Sequence, residues 1–216
     1  MYQENGKYLN ELLTRFPCLK ECEADIQKSY EILEQCFSDG NKLLVAGNGG
    51  SCADSQHIVG ELMKGFKLSR KCSDGFAQKL KAIDAERGET LAAVLQGGLP
   101  AIALSEHQGL NTAFINDVEN GGLFTFAQQV YGYGKAGDTL LAISTSGNSK
   151  NIMNAAVVAK ALGMSVIALT GKSGGELARF ADVAIKVPET ETFMVQELHL
   201  PVYHCLCLML ENKFFG

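Results

Sequence analysis

Apolar side chains recur at helical spacing through the first 38 residues, in two sets that Pro17 separates. The second set ends at Asp39-Gly40, which is a typical helix stop. This pattern predicts a helical lead-in over residues 1–38. Because so short a segment cannot bury a core of its own, we expect it to pack on the rest of the chain or on another subunit. The two sets are Leu9, Leu12, Leu13 and Phe16, followed by Ile26, Tyr30, Leu33 and Phe37.

From Lys42 onward the pattern changes to short apolar runs that alternate with helical stretches. Runs bounded by glycine or polar turns are typical of strands buried on both faces of a parallel sheet. The pattern predicts an α/β fold: a doubly wound, five-stranded parallel sheet of the flavodoxin-like type, flanked by helices, in one domain spanning residues 1–216. Ligands of such folds bind at the carboxyl ends of the strands. The predicted strands are 43–45, 101–104, 140–143, 166–169 and 183–187.

A basic segment over residues 64–90 interrupts this alternation. We expect it to form an excursion, partly helical, over the mouth of the sheet. A run of charges is usually a solvated surface, and a contribution to phosphate binding is the alternative. The cationic residues of the segment are Lys64, Lys67, Arg70, Lys71, Lys79, Lys81 and Arg87.

Charge and cysteine usage narrow the class of function. A net charge of −5 argues against sequence-independent binding to nucleic acid, which requires a basic face. Seven cysteines form no C-x-x-C pair, and no secretory signal opens the chain, so a reduced, cytoplasmic location is expected. The apolar runs are too short to span a bilayer, which predicts no membrane role.

Two polar turns follow predicted strands. The turn Gly47-Asn48-Gly49-Gly50-Ser51 leads into a helix, and such a turn presents main-chain N–H groups to an anion. The turn 144–149 carries four hydroxyl groups and an amide, more than helix capping requires, which suits a ligand with several oxygens such as a sugar phosphate. A tight turn and a capped helix are the respective structural alternatives. The hydroxyl groups belong to Ser144, Thr145, Ser146 and Ser149.

Metal-binding side chains occur on two predicted helices. His57 and Glu61 are four residues apart, which places them on one helical face. An apolar helix over about 192–211 carries further polar groups that must be satisfied or functional. Spacing leaves the ligands open, because Gln196 and His204 lie about 80° apart on an ideal helix and Glu197 is better aligned with His204. Imidazole, carboxylate and amide groups suit zinc or a similar divalent ion.

These motifs resemble those of the sugar isomerase (SIS) family and, within it, the phosphoheptose isomerases. The resemblance covers nearly the whole chain from Leu43 onward. It rests on six ordered motifs: 47–51 with His57 and Glu61, Leu99-Pro100-Ala101-Ile102-Ala103-Leu104, Asn116-Asp117, Gly137-Asp138, 143–149, and Gln196-Glu197-Leu198-His199 with His204.

The resemblance implies interconversion of sedoheptulose 7-phosphate and D-glycero-D-manno-heptose 7-phosphate by a homotetramer with sites between subunits. It implies Glu61 as the catalytic base, His204 as the acid, and one Zn²⁺ per subunit. The implied zinc ligands are His57, Glu61, Gln196 and His204. The implied substrate contacts are Asn48, Gly49, Gly50, Ser51, Glu61, Asn116, Asp117, Ser144, Thr145, Ser146, Ser149 and Gln196.

The chain departs from the family pattern at three places, one of which is the 64–90 excursion, longer here than in many members. Phe193 and Met194 stand where phosphoheptose isomerases usually carry an Asp-Arg pair, and the arginine that many members place near Gly65 is missing. An isomerase of another ketose phosphate is therefore an alternative. A second is a non-catalytic SIS protein that binds a protein partner, of the replication-initiator-associating type. A sugar-phosphate-sensing regulator is disfavoured because no DNA-binding appendage is present.

Overall fold

The computed structural model describes the main chain of residues 2–216 and the side chains of residues 6–216. It is an α/β fold in which helices cover both faces of a five-stranded, all-parallel sheet, as the sequence predicts. The strands are β1 Leu43–Gly47, β2 Ala101–Ala103, β3 Thr139–Ser144, β4 Ser165–Thr170 and β5 Val183–Lys186. The helices are α1 Tyr2–Arg15, α2 Glu23–Ser38, α3 Gly50–Met63, α4 Asp74–Ile83, α5 Ala85–Val94, α6 Gln108–Asp117, α7 Thr125–Tyr133, α8 Lys150–Ala161 and α9 Thr192–Phe215.

The strand order is β2-β1-β3-β4-β5, the flavodoxin-like order. Side chains alternate along each strand, so β1 sends Leu43 and Val45 to one face and Leu44 and Ala46 to the other. The first face is covered by α1, α2, α3 and α9, and the second by α7 and α8. The chain therefore leaves β1 toward one face and leaves the neighbouring β3 toward the other, which makes the gap between them a topological switch point.

The helical lead-in packs on the main body of the chain. Leu9, Leu12 and Leu13 of α1 and Ile26 and Leu33 of α2 are buried in the same core as the sheet residues. A 3-10 helix over Pro17–Cys22 joins the two helices, because proline at its start cannot continue the ladder of α1. After α2, Gly40 takes a φ of +72°, a conformation that favours glycine, and the chain turns into β1.

The basic excursion is a helical hairpin formed by α4 and α5, which pack chiefly against each other. The segment extends beyond the predicted end at residue 90, to about Gly97, whose main-chain N–H donates to the carbonyl of Arg70 and so joins the two ends of the hairpin. None of the described residues of α4 is buried, and Phe76 and Ile83 on it are exposed. The sequence predicts either a solvated charged surface or a phosphate-binding role for this segment, and Arg70 fits neither. It is buried and paired with Glu211, so it is neither solvated nor free to bind phosphate.

Helix α9 is the central helix of the first face. It is 24 residues long and apolar all round, and by length and composition alone it could cross a membrane. Half of that segment is buried inside the protein, which is typical of a core helix. The helix runs without interruption through Pro201, whose ring has no N–H to offer the carbonyl of Glu197.

Candidate active site

The two polar turns meet at the switch point of the sheet. β1 ends at Gly47 and β3 at Ser144, and these strands are direct neighbours. The Asn48 amide exchanges two hydrogen bonds with the Asn151 amide at the start of α8, at 2.9 Å and 2.8 Å. The turn after β1 and the turn after β3 are therefore tied together at the edge where ligands of this fold bind.

The hydroxyl-rich turn is held from below by the segment after β4. The carbonyl of Thr145 accepts from the N–H of Gly171, and that of Gly147 accepts from the N–H of Leu177. Gly147 has a φ of +67° and lies against the main chain of Gly174, where a side chain would clash. The turn is thus fixed in shape before any ligand arrives.

The hydroxyl groups of this turn do not serve as helix caps. Ser149 is the N-cap residue of α8, and within the described part of the chain its side chain makes no capping hydrogen bond. It accepts instead from the Ser144 hydroxyl at 3.0 Å. Thr145 is half-buried and Ser146 is exposed. The Ser146 hydroxyl accepts from the main-chain N–H of Asn148 at 3.1 Å, so the hydroxyl groups bond within the turn, beside a helix N-terminus that is suited to an anion.

Gln196 lies directly over the glycine-rich turn. A Cβ atom at Gly50 would be only 2.9 Å from the carboxamide carbon of Gln196, so a larger residue there would force the Gln196 amide to move. Gly49 has a φ of +55°, which L side chains rarely adopt. The two glycines let the α9 amide reach the start of α3, which the spacing of the sequence could not show.

Three of the four predicted metal ligands meet around one atom, Nε2 of His57. Glu61 Oε1 lies 3.2 Å from it, and His204 Nε2 lies 3.5 Å from it. The rings of His57 and His204 are nearly perpendicular, with centroids 5.0 Å apart. Helices α3 and α9 thus bring together side chains that are 147 residues apart in sequence.

These separations match the donor spacing of a zinc site. Bonds of about 2.0–2.1 Å in a tetrahedron place neighbouring donor atoms about 3.3 Å apart. Among the side chains of residues 6–216, however, no group of three His, Cys, Asp or Glu is placed so that it could hold a metal ion. Both Glu61 and His204 approach the same nitrogen of His57, so the structure has two adjoining donor pairs. Two imidazoles and a carboxylate are nevertheless donors that suit zinc.

Local charges favour a neutral His204. Burial, then His57, lowers the pKa of His204, and Arg15 acts in the same direction, while Glu61 opposes them. The other oxygen of Glu61 accepts from Lys64 Nζ at 3.2 Å. The two oxygens of Glu61 therefore have different partners, one on the side of the histidines and one on the solvent side.

Comparison with known proteins decides the family. Residues 82–171 match the SIS domain. The phosphoheptose isomerase of Geotalea daltonii is 39% identical over 199 residues, which cover 91% of this chain and 88% of that protein. The one from Shewanella frigidimarina is 36% identical over 211 residues, covering 96% and 93%. The structure of phosphoheptose isomerase GmhA from Neisseria gonorrhoeae matches with a TM-score of 0.70 at 31% identity, covering 98% of this chain and 95% of that one.

The chain belongs to the phosphoheptose isomerase family. The resemblance on which the sequence-based predictions rest is therefore confirmed, as is the predicted fold class.

One family motif lies apart from the rest of the site. Asn116 and Asp117 are exposed at the end of α6, where the Asn116 amide donates to the Asp117 carboxylate at 2.9 Å. No hydrogen bond in the described part of the chain joins either residue to the two turns or to His57. Their role as substrate contacts stays a prediction.

Sequence reasoning about this phosphoheptose isomerase family member missed three polar residues of the site. Asn151 ties the two turns together, and Tyr203 contacts both Asp54 and His57. Asp54 precedes His57 by three residues on the same helical face, and Tyr203 is a hydroxyl group on an otherwise apolar stretch of helix. The spacing of Asp54 and the hydroxyl group of Tyr203 are both visible in the sequence, but neither shows which side chain the residue bonds to in the fold.

Proposed function

We propose that this protein is an aldose–ketose isomerase that interconverts sedoheptulose 7-phosphate and D-glycero-D-manno-heptose 7-phosphate. The observation that carries the proposal is the meeting of His57, Glu61 and His204 beside two polar turns at the switch point of the sheet. Relatives named phosphoheptose isomerase, at 36–39% identity over most of the chain, support the substrate class.

The residues divide into a phosphate-holding part and a reacting part. Ser144, Thr145, Ser146 and Ser149 would bind the phosphate at the N-terminus of α8, because hydroxyl and N–H donors there meet the positive end of the helix. The glycine-rich turn, with Asn48 and Ser51, would bind the sugar hydroxyls near the reacting carbons. A phosphate fixed at one end holds those carbons in place, which removes much of the entropy loss from the barrier.

Glu61 is proposed as the base. Exchange between aldose and ketose moves a proton between neighbouring carbons through an enediol, and a carboxylate suits both the removal and the return of that proton. Glu61 is only 13% exposed, so its carboxylate is largely shielded from water that would exchange the proton. His204, the proposed acid, would give and take back the proton at the substrate oxygen.

Zinc is proposed as the cofactor, one ion per subunit, held by His57, Glu61, Gln196 and His204. The two imidazoles, the carboxylate and the amide oxygen are donors that suit this ion. When bound, zinc would polarise the substrate carbonyl and stabilise negative charge on its oxygen. The donor spacing around His57 supports the proposal.

Substitution of Glu61 by glutamine tests the assignment. We expect Glu61→Gln to lower kcat by about 10²- to 10⁴-fold and to stop exchange of the carbon-bound proton with D₂O, while the protein stays folded. Glu23→Gln on α2, which changes an exposed carboxylate in the same way, is the matched control and should retain activity. Turnover of sedoheptulose 7-phosphate by Glu61→Gln near the wild-type rate would exclude Glu61 as the base.

A different ketose phosphate is the second candidate substrate. Phe193 is 61% exposed one turn before Gln196, where the family pattern has a polar residue. An exposed phenyl ring near Gln196 would favour a ketose phosphate with fewer hydroxyl groups at the end that it contacts. Initial rates on a panel of ketose phosphates would separate the candidates, since the substrate with the highest kcat/KM is the preferred one.

We further propose a homo-oligomer, a tetramer as the family resemblance implies, in the cytoplasm. The exposed apolar residues of the α4–α5 hairpin support association, because isolated chains rarely leave such residues together in water. Asn116 and Asp117 also support it, since they are exposed and, among the described residues, their side chains bond only to each other, so a partner subunit would be able to supply further contacts. Sedimentation at several concentrations gives the oligomeric state directly.

A further inference from the structure

A buried tyrosine connects the site to an aspartate that no motif includes. Tyr203 is 1% exposed on α9. Its hydroxyl oxygen lies 3.0 Å from Nδ1 of His57 and 3.1 Å from Oδ1 of Asp54. Asp54 and His57 are three residues apart on α3, so one phenol group from α9 meets two side chains about one turn apart on the facing helix.

The direction of these hydrogen bonds follows from the number of protons. A phenol has one proton to donate, and an ionised carboxylate accepts only. Tyr203 therefore donates to Asp54, and its oxygen accepts from Nδ1–H of His57. The hydrogen bond at Nδ1 assigns the tautomer of the imidazole, because a neutral ring carries its proton on one nitrogen only.

With Nδ1–H donated to Tyr203, Nε2 is the nitrogen of His57 that faces Glu61 and that can bind a cation in place of a proton. This Nε2 atom is the one that Glu61 and His204 approach, at 3.2 Å and 3.5 Å. The His57 side chain is 41% exposed, so packing alone does not hold its orientation. The Tyr203 ring lies edge-on to it, with centroids 5.5 Å apart and planes at 77°.

We propose that Tyr203, backed by Asp54, is a positioning residue that fixes His57 in the tautomer able to bind a divalent cation. The inference rests on the proposed function, since it takes His57 to be a ligand. Neither Tyr203 nor Asp54 touches the metal or the substrate in this role. Partners of this kind orient a ligand histidine and raise its basicity, and their loss typically weakens metal binding by about 10- to 100-fold.

Zinc affinity of the metal-free protein provides the first test. Zn²⁺ is titrated against a chromophoric chelator with wild type, Tyr203→Phe, Asp54→Asn and the double variant. We expect Tyr203→Phe to weaken zinc binding by about 10- to 100-fold. Because the two groups act in series, the double variant should be no more than marginally weaker than Tyr203→Phe. Tyr131→Phe, which removes a hydroxyl group from an exposed ring on α7, should bind zinc as wild type does.

The tautomer provides a readout that a merely structural role would not move. Nitrogen-15 spectra of the zinc-loaded protein should show His57 with Nδ1 protonated and Nε2 bound to the metal. In Tyr203→Phe this signature should be lost while urea unfolding shows that the protein is still folded. Should the variant prove unstable, Asp54→Asn keeps the phenol and still weakens its hold on His57.

The outcomes separate this inference from the proposed function. If wild type binds zinc tightly and Tyr203→Phe binds it equally well with an unchanged tautomer, the positioning role is wrong and the metal site stands. If wild type binds no zinc at all, the proposed metal site fails and the positioning role fails with it.

Discussion

The buried pair of Arg70 and Glu211 offers a quantitative test of how the excursion is attached. Glu211, near the end of α9, accepts hydrogen bonds from the main-chain N–H groups of Phe66, Lys67 and Leu68, at 2.7, 2.8 and 3.1 Å. The fourth donor is Arg70 Nε at 2.9 Å, and both charged side chains are almost fully buried. A single carboxylate therefore satisfies four donors at the base of the hairpin.

Arg70 also holds the end of α3. Its guanidinium donates to the carbonyls of Leu62 and Glu61, at 2.7 Å and 3.0 Å. These are carbonyls that a helix C-terminus leaves without helical partners. The pair thus joins α3, which carries the proposed base, to α9, which carries the proposed acid.

We expect Glu211→Gln to lower the free energy of unfolding by about 3–5 kcal/mol, because it leaves the Arg70 charge buried without its counter-ion. A neutral amide also accepts more weakly and brings two donors among groups that are already donors. Urea unfolding at pH 7 measures the loss. Glu89→Gln, which breaks the exposed pair with Lys81, should cost less than about 1 kcal/mol and is the control.

The difference in free energy of unfolding between wild type and Glu211→Gln should become smaller at acid pH. Burial acts to raise the pKa of Glu211, but the hydrogen bonds from Phe66, Lys67 and Arg70 outweigh it, so the pKa lies below its ordinary value. The stabilisation is therefore present above the unfolded-state pKa and is lost as pH falls through the folded-state value. A Glu211→Gln protein whose free energy of unfolding lies within about 1 kcal/mol of that of wild type at pH 7 would refute the reasoning, since a buried unpaired charge destabilises by more than this.

Two further predictions concern the site and the core. Gly50→Ala should displace the Gln196 amide and weaken zinc binding and turnover at nearly unchanged stability, whereas Gly60→Ala on the same helix, with open space around it, should change neither activity nor zinc binding. Titration with zinc and urea unfolding of both variants check this, and equal zinc binding by Gly50→Ala would contradict it. Burial lowers the pKa of His199 from 6.5 to about 4, although the main chain of Thr170 acts in the opposite direction. In the part of the chain that the structure describes, neither ring nitrogen of His199 has a hydrogen-bond partner. Because only the unfolded chain binds the proton between these values, stability should fall by about 3 kcal/mol as pH drops from 6.5 to 4, and His199→Leu should not show this fall. Urea unfolding at pH 7 and pH 4.5 measures it, and identical pH dependence of the two proteins would disprove the assignment.

The sequence by itself determined the secondary structure and the fold class. Apolar runs mark each of the five strands, and the helical periodicity of the lead-in, with breaks at Pro17 and Gly40, marks α1 and α2. The i, i+4 spacing of His57 and Glu61 needs only the geometry of one helix. These are local properties, because periodicity and turn chemistry act over a few residues.

Only the tertiary structure decided which polar groups meet. α9 has apolar residues on all sides, so its sequence does not indicate which face looks toward α3. The contact of Tyr203 with His57 depends on how these two helices pack against each other on one face of the sheet. Arg70 reads as one more charge in a basic run, yet it is buried because Glu211, 141 residues away, lies opposite it. Such pairings follow from strand order and helix packing. The spacing of residues within a single helix or strand carries no information about either.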